Sequence, residues 1–176
     1  MTISKQSIKH LLICLIVTFL TYGCFKDASV TNKNLNLVRI KTVHGDVVFK
    51  LFTEKAPITT SRFKNLVNDG FYNGLIFHRV IENFVIQGGD PTGTGNGGSG
   101  KKLKAEINSI PHKKGTVAMA RGRDLNSADS QFYIALKSLP HLDGKYTVFG
   151  EVIKGVELLD EIKKGDKMLS VSLEER

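Results

Sequence analysis

Hydrophobic and polar residues alternate along two short stretches that follow residue 35. In residues 38–41 and 47–52, apolar side chains recur at every second position, which is typical of a strand with one buried face. The tripeptide His44-Gly45-Asp46 between them favours a turn. The pattern therefore predicts an opening β-hairpin.

After the hairpin, the apolar spacing changes to that of a helix. Pro57 suits the first helical turn, and Gly70 is a stop signal. Four side chains between them recur at positions i, i+4, i+7 and i+8: Thr59, Phe63, Leu66 and Val67. This spacing predicts one amphipathic helix.

Short apolar runs separated by glycine, asparagine or aspartate occupy most of the remaining chain. They are LIFHRVI, FVIQGG, GTVAMA, SQFYIAL, KYTVFGEV and the C-terminal MLSVSLEER. A second helix is predicted over residues 155–164, with Val156, Leu159 and Ile162 on one side and Gly165 as its cap. We expect a mostly β protein, a closed antiparallel β-barrel of about eight strands capped by two α-helices, rather than a parallel α/β sheet.

The first residues have the composition of a secretory signal peptide. Lys5 and Lys9 precede the apolar run 11–20, and no acidic residue lies among residues 1–23. A membrane-spanning helix needs about 20 apolar residues, so this run is too short for one. We expect the chain to be exported.

The pair Gly23-Cys24 resembles the end of a lipobox, where cleavage precedes a cysteine that becomes lipidated. Thr21 and Tyr22 depart from that pattern, so an ordinary secreted form is the alternative to a lipid anchor at Cys24. Residues 1–23 are then the signal peptide, residues 24–34 a polar tether, and residues 35–176 the folded domain. The expected location is the periplasm or cell envelope, with the domain held at a membrane.

Charge and cysteine usage exclude several classes of function. The formal net charge is +8, but the basic residues are scattered, apart from three Lys-Lys pairs. This distribution favours a solvated basic surface over nucleic-acid binding. Both cysteines, Cys14 and Cys24, precede the predicted domain, which excludes a disulfide framework or a cysteine metal site within it.

A glycine-rich segment contains two patterns that are typical of nucleotide sites. Residues 93–98 fit G-x-G-x-x-G, and residues 95–101 fit a phosphate loop, with Lys102 where serine or threonine should stand. Both sites need a helix that begins at the last glycine. The segment 101–111 that follows is short, basic and closed by proline, so we expect no nucleotide cofactor.

The histidines and serines indicate neither a metal site nor a hydrolase. No two histidines lie four residues apart, and no serine has the flanking residues of a nucleophile elbow. We therefore assign His44 and His112 to packing or solvent contact, and we expect no metal and no cofactor.

Four segments resemble the cyclophilin family, in the family's order. They are FHRVIENFVIQGGD, TGTGNGGSG, VAMARGRDLNSADSQFYIAL and HLDGKYTVFGEV. With the opening hairpin and helix, the resemblance spans roughly residues 35–173. It implies the fold of a compact cyclophilin and the activity of a peptidyl-prolyl cis-trans isomerase.

The resemblance also implies a set of site residues. Arg79 would stabilise the twisted amide, Gln87 would orient Arg79, and Phe84 would grip the proline ring. The other substrate-binding positions would be Val85, Gly95, Ala120, Arg121, Gln131, Tyr133, His141, Leu142 and Tyr146.

Several of these positions depart from residues common in the family. The family often has Met at the position of Val85 and Phe at that of Tyr133. It often has Trp at the position of His141 and His at that of Tyr146. Arg121 replaces an Asn. Loss of the indole at residue 141 argues against tight cyclosporin binding.

The sequence thus predicts a monomeric isomerase that acts on proline-containing polypeptides during the folding of exported proteins. The alternative from another class is a proline-peptide binding module or chaperone with little turnover. The joint presence of Arg79, Phe84 and Gln87 favours the enzyme, because a pure binder would not need all three.

Overall fold

The computed structural model describes residues 35–175 of the chain. Cys24 and the predicted signal peptide and tether lie outside the described residues. The described part contains eight strands, one α-helix and two short 3₁₀ helices, Pro140–Leu142 and Glu157–Asp160. The helix α1 spans Pro57–Asn68. The strands are β1 (Leu37–Thr42), β2 (Gly45–Leu51), β3 (Arg79–Ile81), β4 (Val85–Gly88), β5 (Thr116–Met119), β6 (Phe132–Ala135), β7 (Val148–Lys154) and β8 (Ser170–Glu174).

All eight strands belong to one antiparallel sheet in the order β3-β4-β6-β5-β7-β2-β1-β8. The opening hairpin, the first helix and every strand-like run of the sequence are confirmed. Among the described residues, no helix is long and apolar enough to cross a membrane.

The sheet curves into a half-barrel, and the predicted closed barrel is not confirmed. Strands β3 and β8 are the two edges and do not pair with each other. The segments that lead into them do meet: the Phe77 N–H donates to the Asp166 carbonyl at 2.9 Å, and the Gly165 N–H donates to the Phe77 carbonyl at 2.9 Å. Backbone contacts outside the strands therefore bring the two edges together.

The predicted second helix is wrong. Residues 155–164 form only the single 3₁₀ turn Glu157–Asp160, with i→i+3 hydrogen bonds such as Leu158 N–H to the Gly155 carbonyl at 3.1 Å. The apolar residues Val156, Leu159 and Ile162 recur at intervals of three, which matches the 3.0 residues per turn of a 3₁₀ helix better than the 3.6 of an α-helix. Leu159 and Ile162 are still buried in the core.

Helix α1 covers one face of the sheet and buries a cluster of aromatic rings. Phe63 is at its centre, with ring centroids 4.7 Å from Tyr72, 5.1 Å from Phe149 and 5.4 Å from Phe132. Burial of such side chains is the main stabilising contribution of the core. The helix begins at Pro57, and the Glu106 carboxylate accepts its first free N–H groups, those of Ile58 and Thr59, each at 2.8 Å.

Strand alternation assigns the opposite face of the sheet to a second, smaller apolar cluster. In β4, Ile86 joins the core under α1 while Val85 joins the smaller cluster; in β6, Phe132 and Ile134 face the core while Tyr133 faces the smaller cluster. Partly buried side chains surround that cluster: Phe52, Phe84, Ile110, Ala120, Leu142 and Tyr146. The period of two therefore separates residues that stabilise the fold from residues that line a surface depression.

Candidate active site

The strand register places three of the predicted site residues, Arg79, Gln87 and Tyr133, in one row across the sheet. Arg79 in β3 is paired with Gln87 in β4, Gln87 with Tyr133 in β6, and Tyr133 with Ala118 in β5. Paired residues project from the same side of adjacent strands. The β3–β4 hairpin and the later strands β5 and β6 therefore present neighbouring side chains.

A chain of hydrogen bonds fixes the polar end of this row. Arg79 Nη1 donates to Gln87 Oε1 at 3.1 Å, and Gln87 Nε2 donates to Gln131 Oε1 at 2.9 Å. Gln131 Nε2 in turn donates to the carbonyls of Gly95 at 2.9 Å and Gly97 at 2.8 Å. Because backbone carbonyls only accept hydrogen bonds, they determine the orientation of both amides and direct an oxygen at Arg79.

The glycine-rich loop that supplies these carbonyls is held by two carboxylates. Asp90 accepts the N–H groups of Thr92 at 2.8 Å and Gly95 at 2.5 Å. Burial alone would raise the pKa of Asp90, but these hydrogen bonds outweigh it and lower the pKa to about 2. Asp129 accepts the N–H groups of Ser99 at 2.8 Å and Gly100 at 3.0 Å. The described residues 100–111 contain no helix, so the loop supports Gln131 and lacks the helix that a phosphate site needs.

A cavity of about 140 Å³ lies at the Arg79 end of this hydrogen-bond chain, where aromatic and aliphatic side chains meet polar ones. Nine of the predicted site residues line it: Arg79, Phe84, Val85, Gln87, Ala120, Arg121, Tyr133, Leu142 and Tyr146. Gly95 and Gln131 line an adjacent cavity of about 400 Å³. His141 is exposed and stacks on Phe84, with ring centroids 6.0 Å apart. The structure thus brings all of these side chains to one surface.

Two cations lie on aromatic rings at this surface. The Arg79 Cζ is 5.6 Å from the centroid of Phe84, and the Arg121 Cζ is 4.8 Å from the centroid of Tyr146. Arg121 Nη2 also donates to the Lys145 carbonyl at 2.9 Å. The side chain that replaces a family Asn therefore forms one wall of the cavity.

Sequence reasoning missed two polar residues behind the cavity. His112 is buried, and its ring lies between Asp143 and the Tyr133 hydroxyl. Tyr133 was the signal in the sequence that could have pointed to them, because a buried phenol in place of phenylalanine requires a hydrogen-bond partner. His44, by contrast, pairs with Asp166 at 2.7 Å, remote from the cavity lining.

Within residues 35–175, no group of three or more His, Cys, Asp or Glu side chains is arranged to hold a metal ion. The chemistry that this surface can perform with its own groups is hydrogen-bond donation from Arg79 beside the aromatic and aliphatic side chains of the 140 Å³ cavity.

Comparison with known proteins identifies close relatives. Residues 37–175 match the family described as cyclophilin type peptidyl-prolyl cis-trans isomerase/CLD. A peptidyl-prolyl cis-trans isomerase of Helicobacter pylori is 49% identical over 137 residues, covering 75% of this chain and 83% of that protein. Peptidyl-prolyl cis-trans isomerase B of Bacillus subtilis is 46% identical over 131 residues, covering 73% of this chain and 90% of that protein.

A solved structure has the same architecture. The crystal structure of a Cryptosporidium parvum cyclophilin type peptidyl-prolyl cis-trans isomerase has a TM-score of 0.75 at 34% identity, covering 80% of this chain and 98% of that one. A second crystal structure of that protein was obtained in the presence of the dipeptide Ala-Pro, with a TM-score of 0.74 at 34% identity over 80% of this chain and 99% of that one.

Proposed function

The chain belongs to the cyclophilin-type peptidyl-prolyl cis-trans isomerases and catalyses that reaction, and we propose that Arg79 is the residue that stabilises its transition state. The observation that supports this role is the hydrogen-bond chain from Arg79 through Gln87 and Gln131 to the glycine loop, beside the 140 Å³ cavity. It supports the proposal because the chain of hydrogen bonds holds a cation beside the cavity that a proline ring would occupy.

The reaction needs a donor that binds the twisted amide better than the planar one. Rotation about an X-Pro bond meets a barrier of about 18–20 kcal/mol, because amide resonance is lost at the twisted geometry. The proline nitrogen then becomes pyramidal and gains a lone pair. A guanidinium that donates to this lone pair interacts more strongly with the transition state than with either ground state, which lowers the barrier. Arginine suits this role because it stays charged and its donors are rigidly arranged.

The remaining site residues would hold the peptide. Phe84, Val85, Leu142 and Tyr133 would enclose the proline ring. The Ala120 N–H donates to the Gln131 carbonyl at 3.0 Å, so an extended peptide would pair with the Ala120 carbonyl and the Arg121 N–H. Substrates of this chain would accordingly be exposed, extended proline-containing polypeptides.

Exchange-sensitive NMR tests the assignment against the alternative of a binding module. A proline peptide in excess over the purified chain should show cis-trans exchange much faster than the uncatalysed process, which takes about 10–100 s. Peptide binding without accelerated exchange would support the module instead.

We further propose that the chain acts outside the cytoplasmic membrane, on exported proteins whose folding waits for proline isomerisation. The support is the signal-like composition of residues 1–23 and the cysteine at residue 24. Two acyl chains give stable membrane retention where one is marginal. Residues 24–34 would separate the domain from the membrane surface.

Replacing Cys24 by serine tests this location. Cys24→Ser is expected to move the protein from the membrane fraction to the soluble or secreted fraction while kcat/KM stays unchanged, since residue 24 precedes the catalytic domain. Cys14→Ser is the matched control, because it changes the other cysteine of the segment and should leave the fractionation unaltered. An unmodified N-terminus at any residue other than Cys24, found by mass spectrometry, would contradict the lipid anchor.

A further inference from the structure

A buried hydrogen-bond chain lies directly behind the proline cavity. Asp143 Oδ1 contacts His112 Nδ1 at 2.8 Å, and His112 Nε2 contacts the Tyr133 hydroxyl at 2.9 Å. The His112 side chain is 0% exposed, while Tyr133 lines the cavity on its other side. These hydrogen bonds therefore connect the partly exposed Asp143 carboxylate to Tyr133, the part of the cavity wall that would contact the substrate.

The protons along this chain can be assigned. The backbone N–H of His112 donates to Asp143 Oδ1 at 2.8 Å, and this bond together with the ring lowers the pKa of Asp143 below its ordinary value. Asp143 is thus a carboxylate that only accepts, so His112 Nδ1 donates to it. In the neutral ring, Nε2 then carries a lone pair and accepts the Tyr133 O–H. In the protonated ring, Nε2–H donates to the same oxygen, so the contact persists in both states.

This contact restricts the Tyr133 ring at its far end. The backbone of Tyr133 is held by the ladders to β4 and β5, and its ring meets Tyr146 edge-on, with centroids 5.7 Å apart. The His112 and Tyr133 rings are nearly parallel, with 12° between their planes. Rotation of Tyr133 about χ1 would break the hydroxyl contact and leave a buried imidazole nitrogen without its partner, which is costly.

We propose that His112 and Asp143 are positioning residues for the isomerisation, holding the Tyr133 ring in the orientation that completes the proline cavity. The inference rests on the proposed site. A phenylalanine at position 133 would be held by packing alone, whereas the Tyr133 hydroxyl adds a directional hydrogen bond to His112.

Tyr133→Phe tests the proposal by removing only the hydroxyl. If the residue 133 ring has the cavity-forming orientation in only a fraction of the molecules, the apparent affinity for the peptide is reduced to that fraction of its full value. We expect KM to rise about 3- to 10-fold while kcat changes less than about 2-fold. His112→Leu should raise KM similarly, and the double variant should add little to either, since both changes break one contact.

Tyr72→Phe is the matched control. It removes a buried hydroxyl that donates to the Ser130 carbonyl at 3.1 Å, away from the cavity lining, and should leave KM unchanged. Three-bond couplings across χ1 should report one rotamer for Tyr133 in the substrate-free wild type and averaging in Tyr133→Phe.

If the wild type is active but Tyr133→Phe has the same KM and a single χ1 rotamer, the positioning role is overturned and the proposed function is left intact. An inactive wild type in the same assay would instead refute the function. If His112→Leu does not fold, Tyr133→Phe still decides the question, because its fold is checked by the same spectra.

Discussion

Arg79→Ala is expected to lower kcat/KM for X-Pro isomerisation by about 100- to 1000-fold, the usual effect of removing one donor directed at charge that develops in a transition state. Arg79 is exposed, and its side chain contacts Gln87 and Phe84 at the surface rather than entering the core, so the variant should fold normally. Peptide affinity should fall far less than turnover, because the proposed interaction is strongest with the twisted amide. Exchange-sensitive NMR measures both quantities on one sample.

Two further variants separate this role from a general effect of charge. Arg79→Lys keeps the cation but loses the planar set of donors, so its kcat/KM should fall between those of the wild type and Arg79→Ala. Arg123→Ala removes an exposed arginine that lines neither the 140 Å³ nor the 400 Å³ cavity and should be close to wild type. Undiminished turnover in Arg79→Ala would remove Arg79 from the mechanism.

The sequence predicts the sheet well because its signal is local. In residues 38–41 and 47–52, alternation alone identifies the hairpin, since a strand with one buried face must place apolar residues at every second position. The helix α1 is equally local: Phe63, Leu66 and Val67 are one face of a 3.6-residue repeat, and all are buried.

The misses come from features that depend on tertiary contacts or on finer periodicity. Val156, Leu159 and Ile162 fit a helix in outline, and only their interval of three distinguishes a 3₁₀ turn. Closure of a sheet depends on contacts between distant segments, here residues 74–77 with residues 165–168. No local pattern encodes such contacts.

The same distinction applies to the site. Arg79, Gln87 and Gln131 were identified because the segments around them resemble a family. Their mutual hydrogen bonds depend on the fold, which pairs Arg79 with Gln87 across β3 and β4 and places Gln131 directly before β6. His112 and Asp143 are 31 residues apart, and no spacing rule links them. Tyr133 stands where the family often has phenylalanine, and only the fold shows that its hydroxyl has a hydrogen-bond partner, His112.

Gly89→Ala is expected to reduce the free energy of unfolding by about 3–5 kcal/mol, from backbone strain and overpacking together. Gly89 follows β4 with φ at +85°, and an added Cβ would lie 2.4 Å from the Ser130 carbonyl oxygen and 3.2 Å from the Gln131 Cα. Both are backbone atoms of the segment that leads into β6, so neither can move aside alone. Since Gln131 orients Gln87, the folded fraction should also lose kcat/KM.

Gly74→Ala provides the matched comparison, measured by urea denaturation of both variants. Gly74 has a similar φ of +78°, yet nothing lies within 4 Å of an added Cβ. Both variants share the cost of a left-handed alanine, about 1–2 kcal/mol, and the same loss of freedom in the unfolded chain. Their difference therefore isolates the contact with Ser130 and should be at least about 2 kcal/mol. Equal destabilisation of the two variants, with kcat/KM of Gly89→Ala unchanged, would show that the β4–β6 segments separate freely and do not hold Gln131 in place.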